Sequence, residues 1–234
     1  MATGSVPARE AVPSATRRVS AAERRAQYLR VAADLVTEQG ADAVTMEAVA
    51  AGAAVNKALL YRQFSNRAEL LLTLFEQETG ELDRRVATAI EGADDFDAKV
   101  RAWITAWFSY MGRRGTLYYR LVSAVSTIAS GSAAPPHRER QRRLVKQNGR
   151  WFSEEFGLPL EQGNDVASIL YAGLTGAIER WVASPTAATR RRLEETFVQM
   201  VLGGLGQLAA STSAPAVSSN GGGGAARARR PPRS

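Results

Sequence analysis

The sequence contains no cysteine and a single histidine, His137, and both shortages narrow the possible chemistry. Disulfides and thiolate metal sites require cysteine, so we expect neither of them. One histidine cannot supply a histidine pair, and no Gly-x-Ser-x-Gly nucleophile motif is present. We therefore predict no catalytic residues, no metal and no cofactor.

Long apolar runs are also missing. The longest mostly apolar stretch, residues 167–178, is interrupted by Gly173, Thr175 and Gly176. A membrane-spanning helix needs about 20 consecutive apolar residues, so none is expected. The N-terminal segment lacks the continuous apolar core of a secretory signal. We expect a cytoplasmic protein with no membrane partner.

The positive charge lies mainly at the two ends of the chain. Six of the seven net positive charges belong to residues 1–20 and 210–234, which lack helical periodicity and are rich in Pro, Ser and Ala. We predict a disordered basic arm at 1–20 and a disordered basic tail at 210–234. Such ends can strengthen phosphate binding but cannot specify a DNA sequence.

Between these ends the apolar residues recur with helical spacing. Leu29, Ala32, Ala33 and Val36 follow the i, i+3, i+4, i+7 pattern, and no stretch alternates as a half-buried strand does. The fold class is therefore predicted to be all-α. Beyond a long helix towards Ile90, helices are predicted at 97–113, 116–129, 137–156, 161–183 and 187–209, separated at glycines and prolines.

Residues 45–64 have the pattern of a helix-turn-helix. Thr45 can cap a first short helix, and Asn56 can cap a second one that runs to residue 64. Ala50 is small where the two helices would cross, and Val49 and Leu60 are apolar enough to pack them together. The second helix of such a motif can enter the major groove of DNA.

Residues 22–75 resemble the DNA-binding domain of the TetR family. The residues that match the family pattern are Thr45, Ala50, Val55, Lys57, Leu60, Tyr61, Phe64, Glu69 and Leu70. The resemblance implies a three-helix DNA-binding domain at 21–70 and a helical effector-binding and dimerisation domain at 71–209. It further implies a ligand-responsive repressor that binds a palindromic operator in double-stranded DNA as a homodimer.

The motif departs from the family pattern in four places. Ala54 replaces the usual turn glycine, which costs about 1 kcal/mol if the turn needs a positive φ. Asn56 replaces Ser or Thr as a cap and is physically equivalent to them. Leu59 stands where a small polar contact residue is common. Arg62 and Gln63 replace two ring residues and add donors for guanine or adenine edges.

The resemblance assigns DNA contacts to eight residues. Phosphate contacts are implied for Thr45, Lys57, Tyr61 and Arg67, which would position the second helix without reading sequence. The base-facing candidates are Asn56, Ala58, Leu59 and Arg62, with Arg62 the best specific reader. We expect Phe64 to be a core residue, and Tyr61 to combine a packed ring with a hydroxyl on a phosphate.

The C-terminal helices offer candidates for a dimer interface and for an effector site. The dimer candidates form apolar faces with small residues: Ile169, Gly173, Leu174, Ala177, Phe197, Val201 and Leu205. The candidates for binding a small apolar or aromatic effector are Trp103, Trp107, Tyr110 and Tyr171. Ordinary core packing is the alternative for both sets.

The sequence is also compatible with two functions other than ligand-responsive regulation. A helical DNA-organising protein without an effector would share the same motif, and an all-helical enzyme would show turnover without DNA affinity. A ligand cavity in residues 95–182 would favour the ligand-responsive regulator over the DNA-organising protein.

Overall fold

The computed structural model describes residues 20–129 and 135–213. Within these ranges the chain is all-α and contains no strand, as the apolar spacing predicts. The predicted basic arm lies outside the described residues except for Ser20. Residues 210–213 of the predicted tail belong instead to the last described helix, which ends at Ser213. The rest of the predicted tail lies outside the described residues.

Eight helices and one 3-10 turn occupy the described residues. They are α1 (Ala21–Gln39), the 3-10 turn (Ala41–Ala43), α2 (Met46–Gly52), α3 (Lys57–Tyr61), α4 (Arg67–Glu91), α5 (Phe96–Ile128), α6 (Pro136–Phe156), α7 (Leu160–Ala183) and α8 (Ala187–Ser213).

Side-chain caps fix where the N-terminal helices begin. Ser20 and Glu23 form a reciprocal capping box at the start of α1, which ends at Gly40 with φ 98°. Asn66 caps α4 by accepting a hydrogen bond from the Glu69 backbone N–H at 2.9 Å. Asp95 caps α5 in the same way. These contacts satisfy backbone donors that a helix leaves free at its first turn.

The chain divides into two compact units, one ending at Gln141 and the other beginning at Arg142. In the first unit, α4 and α5 pack along each other. Its core joins Tyr28 of α1, Val49 of α2 and Leu60 of α3 to Leu74 of α4 and Leu121 of α5. The first unit therefore includes α4 and α5 together with the three N-terminal helices, and the domain boundary after residue 70 stays a prediction.

One predicted helix break is wrong. Gly115 was expected to separate helices at 97–113 and 116–129, but α5 runs without interruption through it. Gly115 is buried in the middle of this helix. A glycine in a helix interior costs only about 1 kcal/mol, and burial of residues such as Phe108, Leu117 and Leu121 on the same helix outweighs that cost.

In the second unit, small residues allow the helices to approach closely. A Cβ added at Gly173 of α7 would lie 2.9 Å from a ring carbon of Phe197 on α8, so these helices pack directly at this point. A Cβ at Gly163 of α7 would collide with the backbone oxygen of Gly149 on α6. Side chains larger than hydrogen would therefore push both pairs of helices apart.

Candidate nucleic-acid interface

The turn between α2 and α3 contains the strained residue that the sequence suggests. Ala54 has φ 53°, in the left-handed region that glycine adopts more easily. The backbone N–H of Val55 donates to the Ala50 oxygen at 3.0 Å and closes the turn. The turn therefore has a positive φ at Ala54, which is the condition under which alanine costs free energy there.

Helix α3 presents most of its side chains to solvent. Leu60 is fully buried, whereas the two apolar neighbours Leu59 and Tyr61 are 39% and 48% exposed. Since successive residues of a helix turn by about 100°, Ala58 and Arg62 point away from the core, opposite Leu60. Leu59 and Tyr61 lie on the two flanks of this outward face. The predicted DNA-contact residues of this stretch are all exposed: Lys57, Ala58, Leu59, Tyr61 and Arg62.

The two caps of the motif act through acceptor atoms. Thr45 accepts a hydrogen bond from the Ala48 N–H at 3.0 Å through its hydroxyl oxygen. Asn56 accepts one from the Ala58 N–H at 2.9 Å through its amide oxygen. Both contacts use acceptor atoms only, so the amide donors of Asn56 are not consumed by its cap. The Thr45 side chain also hydrogen-bonds Glu47, which accepts through its carboxylate.

Lys57 is held by an acidic residue that sequence reasoning missed. Its ammonium forms an ion pair with Glu47 of α2 on the exposed surface. The hydrogen bond from Lys57 is the largest cause that lowers the pKa of Glu47 below its usual value. This pair links the two helices of the motif and places a carboxylate beside the cation that was predicted to contact phosphate.

The end of α3 is fixed by Arg25 of α1, which was also missed. Its guanidinium lies 4.2 Å from the Phe64 ring centroid and donates to the Gln63 oxygen at 2.7 Å. Phe64 itself is buried, which confirms its expected core role. The arrangement holds α3 against α1 and so sets the direction of its exposed face.

Arg67 makes contacts inside the protein. Its Nε donates to the Val44 oxygen at 2.8 Å and its Nη2 to the Ala41 oxygen at 2.9 Å. These bonds tie the start of α4 to the 3-10 turn. The geometry gives Arg67 a structural role, and its predicted phosphate contact stays a prediction.

The effector candidates fall into different surroundings. On α5, Trp107 and Tyr110 are buried and Trp103 is half-buried, while Tyr171 is half-buried on α7 in the second unit. The Tyr110 hydroxyl donates to Glu78, with 2.8 Å to Oε2 and 2.9 Å to the backbone oxygen. Burial and the Glu78 carboxylate raise the pKa of Tyr110 above its usual value. A ligand could use this hydroxyl only by breaking these bonds.

Arg114 completes a polar cluster with Glu78 and Tyr110 between α4 and α5. Its Nε lies 3.0 Å from Glu78 Oε2, and its Nη2 lies 2.5 Å from Glu78 Oε1. The bidentate pairing satisfies a carboxylate that is otherwise buried. No sequence pattern indicated this cluster, because Glu78 lies more than thirty residues away from both Tyr110 and Arg114.

The predicted dimer residues divide into two groups. Ile169 is 68% exposed, Gly173 is exposed and Ala177 is half-buried. The other four, Leu174, Phe197, Val201 and Leu205, are buried within a single chain. These four side chains already pack inside one chain, and their place in a dimer interface stays a prediction.

Two other kinds of site are absent from the part of the chain that the structure describes. Within residues 20–129 and 135–213, no three His, Asp or Glu side chains are grouped so that they could hold a metal ion. In the same ranges, no helix combines the length and apolar character needed to cross a membrane.

Comparisons with known proteins agree with this geometry. Residues 29–74 match the family model described as bacterial regulatory proteins, tetR family. The chain is 24% identical over 191 residues to the HTH-type transcriptional activator FasR of Mycolicibacterium smegmatis, covering 82% of this chain and 87% of that protein.

Two solved structures share the fold. A TetR-like transcriptional regulator from Rhodococcus has a TM-score of 0.62 at 18% identity, covering 81% of this chain and 99% of that one. The fatty acid degradation regulator FadR from Bacillus halodurans has a TM-score of 0.57 at 17% identity, covering 78% and 96%.

The capped helices, the closed turn and the exposed face of α3 define a helix-turn-helix DNA-binding protein. Residues 29–74, which match the family model, are a helix-turn-helix segment of the kind found in bacterial regulatory proteins of the tetR family.

Proposed function

We propose that this regulator is a cytoplasmic homodimer that binds an inverted repeat in DNA and represses transcription until an apolar small molecule releases it. The observation that carries the proposal is the outward face of α3, where Arg62 and Ala58 lie opposite the buried Leu60. A guanidinium in this position can donate two hydrogen bonds to guanine. Two such helices related by a two-fold axis match a two-fold DNA site.

The exposed sides of α7 and α8 support the dimer. Ile169 and Met200 are each 68% exposed, although both are large apolar side chains. Beside them lie exposed small residues, Ala172 and Gly176 on α7 and Gly203 on α8. Small residues permit close contact between helices, so these faces can pair with the same faces of a second subunit.

The aromatic side chains of α5 support the choice of effector. Trp103, Trp107 and Tyr110 follow one another at i, i+4 and i+7, which places them on one side of the helix. Aromatic walls suit apolar ligands. A useful response needs the effector to weaken DNA binding by about 1–3 kcal/mol. Suitable probes are a fatty acyl chain, a sterol and a bicyclic aromatic compound, each added to the protein–DNA complex.

Paired variants of α3 test the DNA-reading role. Arg62→Ala should cost about 1–3 kcal/mol at one base pair and relax the preference there. Lys57→Ala should weaken binding to all sequences about equally, because it removes a phosphate contact. Selection of bound sequences from a random pool measures both effects. An unchanged consensus with Arg62→Ala would show that Arg62 is not the reader.

The effector role is tested with Trp107→Phe, which keeps an aromatic ring in this buried position. The variant should bind DNA as the unchanged protein does but should respond more weakly to the active probe. Equal responses from both proteins would remove Trp107 from the effector site. No response to any probe by either protein would favour a DNA-organising role without an effector.

Activation is a second candidate, favoured by the similarity to a protein named as an activator. An in vitro transcription assay with purified components distinguishes repression from activation. A repressor lowers the transcript level when its site overlaps the promoter, whereas an activator raises it from a site upstream.

A further inference from the structure

In the described part of the first unit, large exposed apolar side chains are confined to α3. Among the described residues from Ser20 to Gln141, only Leu59 and Tyr61 are both large and exposed. Tyr61 carries a hydroxyl that can reach a phosphate, but Leu59 has no polar atom to offer. The exposed part of the Leu59 side chain packs against nothing in the folded monomer, so we looked for the partner that this face contacts.

Leu59 lies next to Ala58, and together they form an apolar strip on the outward side of α3. Ala58 is exposed opposite the core, and Leu59 is 39% exposed on the adjacent flank. Leu60, the next residue, is completely buried and already supplies the packing of this helix. The exposed part of Leu59 is therefore available to a partner of this face.

The major-groove edges of the bases offer one apolar group, the 5-methyl group of thymine. Adenine and guanine present N7 in the major groove, and cytosine presents its N4 amino group beside a C5–H. None of the three offers a methyl group to bury, and an aliphatic side chain would leave their donors and acceptors unpaired. We infer that Leu59, assisted by the Ala58 methyl group, selects thymine in each half-site by burying this methyl group. The inference rests on the proposed entry of α3 into the major groove.

Leu59 would thus be a specificity-determining residue distinct from Arg62. Arg62 donates hydrogen bonds, which suit guanine, while Leu59 excludes bases that need a hydrogen-bond partner. Burial of one methyl group should change affinity about fourfold, which corresponds to roughly 0.8 kcal/mol. Two half-sites in a dimer should give about 15-fold, the product of two such factors.

Replacement of thymine by deoxyuridine gives a direct test, because it removes only the methyl group. The selected DNA site is prepared with each thymine replaced in turn, symmetrically in both half-sites. Binding of the full chain is measured by fluorescence anisotropy at one salt concentration. We expect one thymine per half-site whose replacement weakens binding about 15-fold.

Leu59 variants then assign the effect to this residue. With Leu59→Ala, the same replacement should change affinity less than about twofold, whereas Leu59→Met should keep most of the discrimination. Leu160→Ala is the matched control, since Leu160 is also an exposed leucine but begins α7. It should retain the full dependence on the methyl group.

The outcomes separate this inference from the proposed function. If the unchanged protein selects no DNA sequence, the proposed function itself fails. If it selects a site in which no thymine-to-uracil replacement matters, or in which the loss is the same with Leu59→Ala, the role of Leu59 is wrong and DNA binding stands.

Discussion

Helix α3 and the α7–α8 pair both expose large apolar side chains, but the neighbours of these side chains differ. On α3, Leu59 and Tyr61 stand beside Lys57 and Arg62, which carry charge and hydrogen-bond donors. On α7 and α8, Ile169 and Met200 stand beside glycine and alanine. The first mixture suits a hydrated anionic groove, and the second suits packing of helix against helix.

The two regions therefore show that exposure alone does not identify a partner. Donors next to an apolar group indicate a surface with hydrogen-bonding edges, whereas small residues next to an apolar group indicate a second backbone at short distance. Variants that change one region at a time allow each effect to be assigned to folding, to dimerisation or to DNA binding.

The largest effect is expected in α7, where replacement of a buried residue is compared with replacement of an exposed one. Leu174→Ala should lower the free energy of unfolding by about 2–5 kcal/mol, because it opens a cavity in the packed unit. Ile169→Ala should leave the fold of the monomer unchanged and instead raise the dimer dissociation constant. Urea unfolding followed by circular dichroism, at several protein concentrations, separates these effects. The reverse pattern would mean that the inner and outer faces of α7 have been exchanged.

Two buried tyrosines of the first unit should respond in opposite directions. Tyr110→Phe should lower the free energy of unfolding by about 1.5–3 kcal/mol, because it removes a hydrogen bond to a carboxylate. Tyr28→Phe should raise it by about 1–2 kcal/mol, because the buried Tyr28 hydroxyl has no partner among the described residues. Thermal unfolding of the two variants gives both signs. Losses of equal size would show that Tyr28 has a partner.

The smallest effect is expected in the turn of the DNA-binding motif. Ala54→Gly should raise the free energy of unfolding by about 1 kcal/mol, since glycine adopts the positive φ of this residue without strain. DNA affinity should stay the same, because Ala54 lies in the turn and not on the face of α3. The control is Ala51→Gly on α2, which should destabilise the protein by about 1 kcal/mol. A loss at both positions would mean that the turn does not strain Ala54.

The motif could be predicted from the sequence because its signals are local. The caps Thr45 and Asn56 act on residues two or three positions away, and the need for a positive φ at Ala54 follows from the turn itself. The alternation of buried Leu60 with exposed neighbours follows from helical periodicity.

Contacts between distant residues could not be predicted in this way. Arg25 with Phe64, Glu47 with Lys57 and Arg67 with Val44 join parts of the chain that share no periodic pattern. Such pairs depend on how the helices pack, and a single sequence carries no signal for them.

The faces of α7 were ambiguous for a related reason. Gly173 and Leu174 are adjacent, and both sides of the helix carry apolar or small residues, so periodicity could not separate the side that packs inward from the exposed one. Likewise, Gly115 was interpreted as a break because glycine weakens helices locally, while the packing of α5 outweighs that preference.

The central claim, that a two-fold pair of α3 helices reads DNA, is tested most directly by selecting bound sequences from a random pool. The full chain should enrich an inverted repeat with half-site centres about one helical turn, 34–36 Å, or a multiple of it, apart. Ile169→Glu combined with Met200→Glu should abolish this enrichment while the helical signal in circular dichroism persists. The control, Leu160→Glu, should enrich the same repeat as the unchanged chain. A single asymmetric site, enriched equally by the full chain and by the doubly substituted variant, would contradict the account.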